Sequence, residues 1–329
     1  MDNRSKMMVF RREEEKISLV LEERELPDPA EDEVRFAVRA CGICGSDIAR
    51  SRGGAYHYPI VIGHEFAGVV EYDPIGKTTG MRAAVFPILP CKKCVPCRNG
   101  WYAMCEHYDY YGSRRDGGFC TRMNVKRENL IPMPYNVTDE QAAMCEPSAV
   151  ALGAVKKSGG VAGKTVAVYG AGTIGMLTGF IARAYGAEKV LYSEPNEEKL
   201  EFALSRGFGA LTETDAPDVY FDACGHPSAL NDILNRGKAK ATVVLIGNPA
   251  MDYNIPKATY SRILRRELTL MGTWNSCPAD WNDVLLLISE GKLPLDQLIT
   301  HRFPLSEAEA AFRVFTTEKN ALKVMLVNK

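Results

Sequence analysis

Over roughly the first 150 residues the apolar positions fall in short runs, such as 34–38 and 66–70, interrupted by glycine and proline, the pattern of strands broken by turns. From Lys164 the period changes. An apolar run at 165–169 is followed by helical spacing up to Tyr185, closed by Gly186, and by a second run at 189–193. Strand, helix and strand in this order open a parallel sheet with crossover helices. Further strands are expected at 219–223, 242–246 and 268–272, with helical spacing around Ile233 and over 281–288. The pattern predicts an α/β protein: a β-rich domain over 1–150 and a doubly wound parallel-sheet domain over 151–296. The tail 297–329, with an amphipathic stretch at 306–315 and a strand-like run at 323–327, is expected to return to the first domain.

Composition narrows what such a chain does. With 329 residues and 46% apolar positions it buries a large core without disulfides. Forty basic and 41 acidic side chains nearly cancel, which argues against attraction to nucleic acid or an anionic membrane and for small-molecule partners. The charged start, MDNRSKMMVFRREEEK, shows neither a secretory signal nor a membrane anchor, so a cytoplasmic location is expected. The ten cysteines then stay reduced, and their close spacings favour metal.

Cys91, Cys94, Cys97 and Cys105 lie in CKKCVPCRNGWYAMC, close enough for four thiolates to surround one tetrahedral zinc. Such a site is closed, and so structural. A second set is scattered: Cys44 in CGICGSD, His64 and Glu65 in GHEFAG, and Glu146 in CEPSAV. A thiolate, an imidazole and a carboxylate suit a catalytic zinc that keeps a position for water or substrate. Each also has an ordinary structural reading: Cys44 as a small buried side chain, His64 as a hydrogen-bonded core histidine, Glu146 as a helix-start carboxylate beside Pro147.

Gly170, Gly172, Thr173, Ile174 and Gly175 belong to GAGTIG, which directly follows the apolar strand and opens a helix. In that context glycines permit a tight turn and close approach of a pyrophosphate to the helix N-terminus. Glu194 ends the next expected strand 19 residues after Gly175, where its carboxylate accepts hydrogen bonds from ribose hydroxyls and repels a 2′-phosphate, favouring NAD over NADP.

The order and spacing of CGICGSD, GHEFAG, the four-cysteine lobe, CEP and GAGTIG resemble zinc-dependent medium-chain alcohol dehydrogenases over nearly the whole chain. YYGSRRDGGFCTRMNVKRENL and RILRRELTLMGTWNS look most like the polyol branch of that family, in particular its sugar-alcohol phosphate members. The resemblance implies a GroES-like β catalytic domain, a Rossmann-type NAD domain, two zinc ions per chain and a homodimer or homotetramer. It implies catalytic zinc on Cys44, His64 and Glu146 with Glu65 as a nearby carboxylate that exchanges onto the metal, structural zinc on Cys91, Cys94, Cys97 and Cys105, and Ser46 as proton acceptor. Ser46 reads equally as a turn or helix cap. The implied reaction passes hydride from a polyol, such as the hexitol phosphate galactitol 1-phosphate, to NAD. An unphosphorylated polyol like sorbitol or a threonine-like amino alcohol is the alternative substrate, and a non-catalytic NAD-binding protein the remote alternative.

The chain departs from the family pattern in three places. Ala49 stands where relatives often carry a relay histidine, with His57 read either as a substitute or as a surface or packing residue; Gly153 replaces a second histidine; and the connection 211–218 is too short for the usual helix. Arg114 and Arg115 suggest a substrate-phosphate clamp, against which stands an exposed basic turn paired with Asp116 or Glu106.

Overall fold

The apolar run Met7–Phe10, flanked by charged residues, forms one strand of a hairpin at the N-terminus. In the computed structural model, which describes residues 3–14, 16–249 and 251–328, Arg4–Glu13 pairs antiparallel with Lys16–Glu25 and carries Ile60–Val61 on its other edge. Met7, Met8, Val9 and Phe10 are buried, while pairs such as Arg11–Glu22 lie at the surface. The hairpin belongs to the first of two units, which comprises Met1–Glu146, Cys277–Gly291 and Leu295–Lys329.

The main sheet of this unit has seven strands. Its centre is Glu33–Gly42, buried almost without interruption because both its faces are covered. That strand pairs antiparallel with Glu65–Tyr72 on one side; on the other it meets Arg122–Lys126 along its first half and Lys323–Val327 at its last residues. Val34, Phe36, Val38, Phe66, Phe119 and Val324 form the core with Val9 and Phe10 of the hairpin. The strand ends at Gly42 and Glu65 are therefore held by a large apolar cluster, worth about 1.5–3 kcal/mol per fully buried large side chain.

The return to this unit comes at Cys277, earlier than the expected residue 297. Helix Pro278–Ser289, expected in the second domain, packs here: Trp281 meets the Phe86 ring edge-on at 5.6 Å, its carbonyl accepts from the Cys145 thiol, and Ser289 donates to Asn136. A helical period marks which face is apolar and leaves open which sheet covers it.

Asp73 ties down the loop after Glu65–Tyr72. Its buried carboxylate accepts from the Ile75, Lys77 and Thr78 amides and the Thr78 hydroxyl, and pairs with Arg127 at 2.6 Å. The Arg127 guanidinium, with those donors, holds its carboxyl well below the usual carboxylate range. The native state thus binds this proton less readily than the unfolded chain. The stabilisation is present above about pH 4, the unfolded value, and is lost as pH falls towards the native one. In Asp73→Asn we expect a lower melting temperature at pH 7 and a shallower loss of stability between about pH 4 and pH 2, read by thermal melts across pH. Parallel acid limbs in the two proteins would assign the acid sensitivity to other groups.

The second unit, Pro147–Ser276 with Lys292–Pro294, is a six-stranded parallel sheet. Its order runs Gly209–Ala210, Lys189–Ser193, Thr165–Tyr169, Val219–Asp222, Thr242–Leu245, Thr269–Gly272. The chain winds outward from Thr165–Tyr169 in both directions through helices such as Thr173–Ala184 and Pro227–Arg236, with Tyr220, Ile233, Leu234 and Val243 buried between. Residues 211–218 indeed contain no helix. The short connection is closed instead by Asp215, whose carboxylate accepts from the Thr212 amide and hydroxyl and pairs with Lys189. No helix of the described residues is long and apolar enough to cross a membrane.

Candidate active site

Cys44 caps the short helix Gly45–Ala49, where the Asp47 carboxylate accepts from the Cys44 amide at 2.9 Å. Asp47 is wholly buried, and its other oxygen lies 3.2 Å from Arg50 and 3.4 Å from His64 Nδ1. That contact turns Nδ1 towards Asp47 and leaves Nε2 to face elsewhere. His64 and Glu65 lead into strand Glu65–Tyr72, so the antiparallel pairing that sets Glu65 opposite Gly42 brings them beside Cys44. Ligand atoms of Cys44, His64 and Glu65 all lie within 4.8 Å of one another. Zinc bonds of about 2.0–2.3 Å place neighbouring ligand atoms up to about 4 Å apart, so this donor set fits zinc after a small contraction. Burial opposes protonation of His64, yet the nearby Asp47 and Cys44 charges prevail and raise its pKa well above the ordinary value.

Glu146, expected as the third ligand, is not in this group; Glu65, expected as its neighbour, is. Glu146 sits buried in the first turn of helix Cys145–Lys157 and accepts from the Tyr110 hydroxyl at 3.3 Å. Burial, reinforced by the Glu65 charge, pushes its carboxyl up to about 7. Glu65 itself is ion-paired with Lys323, which is equally buried. Asp47, Tyr110 and Lys323 were not singled out from the sequence. The spacing of Asp47 after Cys44 is a capping-box signal that was available; for Tyr110 and Lys323 no local signal exists.

Ser46 is exposed, and its hydroxyl accepts from Arg50 at 2.9 Å. His57 Nε2 lies 3.2 Å from the Arg114 carbonyl. Arg114 is sandwiched between the Tyr56 and Tyr108 rings at 4.7 and 4.1 Å and donates to the Tyr108 carbonyl and the Tyr56 hydroxyl. Arg115 pairs with Asp109 at 3.1 Å. Both guanidiniums thus have internal partners, different from the expected Asp116 and Glu106.

Cys91, Cys94, Cys97 and Cys105 converge on one point. Lys92 adopts a left-handed φ of 60°, which swings the Lys93 and Cys94 amides onto the Cys91 sulfur, while Cys105 accepts from the Cys91 and His107 amides. Those amides pull the Cys91 thiol down to about 6, whereas burial pushes Cys97 up to about 12. The sulfurs of Cys91 and Cys97, and of Cys94 and Cys105, are 3.9 Å apart. A tetrahedron with Zn–S bonds of about 2.3 Å has edges of about 3.8 Å, so the lobe fits zinc with little movement.

In the second unit Gly170 turns at φ 94° after Thr165–Tyr169, and Gly172 precedes the helix that starts at Thr173. A Cβ on Gly175 would stand 1.8 Å from the Gly170 carbonyl oxygen, whereas one on Gly172 meets nothing within 4 Å. The first glycine is required by packing, the second only by something that approaches from outside. We expect Gly175→Ala to lower stability and abolish dinucleotide binding, and Gly172→Ala to keep the melting temperature within about 2 °C while weakening binding about tenfold or more. Calorimetric titration with melting curves tests the pair; equal melting temperatures for both variants would contradict the packing argument. Glu194 accepts from the Ala171 amide at 2.7 Å and the Asn196 amide at 2.8 Å, so it secures the turn and retains lone pairs for a further donor.

The family model of the alcohol dehydrogenase GroES-like domain matches residues 30–135, and that of the zinc-binding dehydrogenases residues 173–290. Galactitol 1-phosphate 5-dehydrogenase of Escherichia coli (strain K12) is 34% identical over 325 residues, covering 90% of this chain and 93% of the relative. The chain belongs to the zinc-dependent alcohol dehydrogenase family. The dehydrogenase also superposes on two solved structures. Galactitol-1-phosphate dehydrogenase from Escherichia coli matches with a TM-score of 0.90 and 32% identity, covering 98% of this chain and 100% of that one. The short chain alcohol dehydrogenase RspB of E. coli CFT073, complexed with NADH, matches with a TM-score of 0.90 and 29% identity, covering 99% and 100%. The expected GroES-like and Rossmann-type architecture is therefore that of this dehydrogenase, and its class is that of the zinc-dependent alcohol and polyol enzymes.

Proposed function

We propose that this dehydrogenase passes hydride from a secondary alcohol of a polyol, a hexitol phosphate such as galactitol 1-phosphate, to NAD, giving the keto sugar phosphate. What carries the reading is the convergence of a thiol, an imidazole and a carboxylate at Cys44, His64 and Glu65 in a chain related over nine-tenths of its length to a galactitol 1-phosphate dehydrogenase. Cys44, His64 and Glu65 would hold a zinc ion, with Glu146 as a second buried carboxyl steadied by Tyr110. Zinc when bound supplies a Lewis acid that makes an alcohol oxygen easier to deprotonate. The Ser46 hydroxyl accepts that proton and passes it outward, and Arg50, which donates to it, fixes its lone pairs for the task. Asp47 orients the His64 ring. Amides at the start of Thr173–Ala184 bind the pyrophosphate, and Glu194, already fixed on the turn, accepts from the ribose and disfavours a 2′-phosphate. The second zinc belongs to the four-cysteine lobe and has a structural role.

An unphosphorylated polyol is the second reading, favoured by the internal partners of Arg114 and Arg115, which leave a phosphate fewer free donors. Turnover on galactitol 1-phosphate, galactitol and sorbitol with NAD and with NADP separates the two. Preference for the phosphate ester by about tenfold or more in kcat/KM, with NAD, supports the first reading, and equal efficiency on galactitol rejects it. A homo-oligomer is also proposed, because the edge strand Thr269–Gly272 leaves Leu270 and the neighbouring Trp274 exposed. A monomeric mass in solution would contradict it.

A further inference from the structure

Lys323 has no part in the steps above, yet it is among the most completely buried side chains of the chain. It opens strand Lys323–Val327, and its ammonium donates to the Ile43 carbonyl at 3.0 Å and to Oε2 of Glu65. An ammonium is placed so deep only where a fixed anion answers it. The sheet is built around the pair. Glu33–Gly42 lies between the strand that bears Glu65 and the one that bears Lys323, and Gly42 is the point where the two side chains meet across it. A Cβ on Gly42 would stand 2.2 Å from Glu65 Oε2 and 3.2 Å from Lys323 Cδ, so any side chain there would break the contact. Gly42 has ordinary extended neighbours and no positive φ, and its lack of a side chain is explained by this crossing alone.

Glu65 is one of three groups that converge with Cys44 and His64. A free carboxylate can give a metal one oxygen or two. With Oε2 taken by an ammonium that is itself tethered to Ile43, Glu65 has Oε1 to offer. We propose that Lys323 is a positioning residue that restricts Glu65 to a single oxygen and so keeps one place at the metal open for the substrate oxygen. This rests on the proposed metal site at Cys44, His64 and Glu65.

Two substitutions move the carboxylate in opposite directions. Lys323→Met keeps the length and apolar stem but frees Oε2, so Glu65 closes on the metal with both oxygens. Lys323→Arg offers a planar fork that takes both oxygens and draws Glu65 away. Full-length protein loaded with cobalt reports the geometry, with the Cys44→Ser protein loaded alike as the blank for the four-cysteine lobe. In K323M the visible d–d band at the Cys44 site loses intensity and zinc is stripped by chelator more slowly than in wild type. In K323R zinc is lost faster by about tenfold or more. Unchanged spectra and stripping rates in both variants overturn the proposal while leaving the site standing. If K323M does not fold, a stripping rate in K323R equal to wild type overturns it by itself. Wild-type protein with the same metal content and spectrum as Cys44→Ser overturns the site as well.

Discussion

Replacing Cys44 by serine is expected to remove one of two zinc ions per chain and to lower turnover by about a thousandfold or more, with the melting temperature nearly unchanged. A serine hydroxyl stays protonated at neutral pH and is a poor ligand where a thiolate was a good one. His64 and Glu65 alone then hold zinc weakly. Polarisation of a substrate oxygen by a dication contributes several kcal/mol to the barrier, and each 1.4 kcal/mol is a factor of ten. Cys44 lies only half-buried at the start of a five-residue helix, so little packing is lost with its sulfur. Elemental analysis with an NADH-production assay checks the result. Unchanged zinc and unchanged rate in Cys44→Ser would refute the proposed site.

The second large effect concerns stability. Cys97 is the most buried sulfur-bearing member of the lobe apart from Cys105, and its thiol is pushed up to about 12 by burial. Four thiols in this space ionise together only around a dication, so the lobe is held by metal rather than by an apolar core: Val95, Trp101 and Met104 are all more than half exposed. Cys97→Ser should remove the other zinc, open residues 91–105 to proteolysis and lower the melting temperature by roughly 10 °C, while cold-assayed kcat stays within about threefold of wild type. In small peptides such sites contribute about 10–16 kcal/mol; here only the lobe's share is lost, because the sheet behind it has its own core. Melting curves, limited proteolysis and zinc content test this together. A lobe that resists protease in Cys97→Ser would show that something other than metal holds it. The two substitutions thus differ in kind, one costing rate and the other costing structure.

Much of this was legible along the chain. The runs at 165–169, 189–193, 219–223, 242–246 and 268–272 became five of the six parallel strands, and only the two-residue edge strand Gly209–Ala210 was too short to show a pattern. The four cysteines and the glycine turn were legible because their chemistry depends on residues close in sequence: a loop of fifteen residues closes on one ion, and Gly175 must sit five positions after Gly170 for the helix to pack on the turn. The short 211–218 connection was also visible as a length.

What depended on distance was not. Helix Pro278–Ser289 shows its apolar face in the sequence, but that the face covers Phe86 rather than the parallel sheet is a property of packing. The family resemblance implied Glu146 as the carboxylate that joins Cys44 and His64, with Glu65 only beside it. Strand pairing sets Glu65 opposite Gly42, with its carboxylate within 4.8 Å of the Cys44 and His64 ligand atoms, while Glu146, at the start of a helix, accepts from Tyr110. Arg114 and Arg115 read as a phosphate clamp or as a basic turn paired with Asp116 or Glu106, and tertiary contacts gave them other partners, the Tyr56 and Tyr108 rings and Asp109.

Within the sequence, period and short-range spacing determined the alternation of strands and helices and the donors available, and the class followed from the resemblance of its motifs to zinc-dependent alcohol dehydrogenases. Only the tertiary structure decided which donors meet. Lys323 and Glu65 are separated by 258 positions and joined across one glycine, and no local pattern encodes a contact that two strands make by flanking a third.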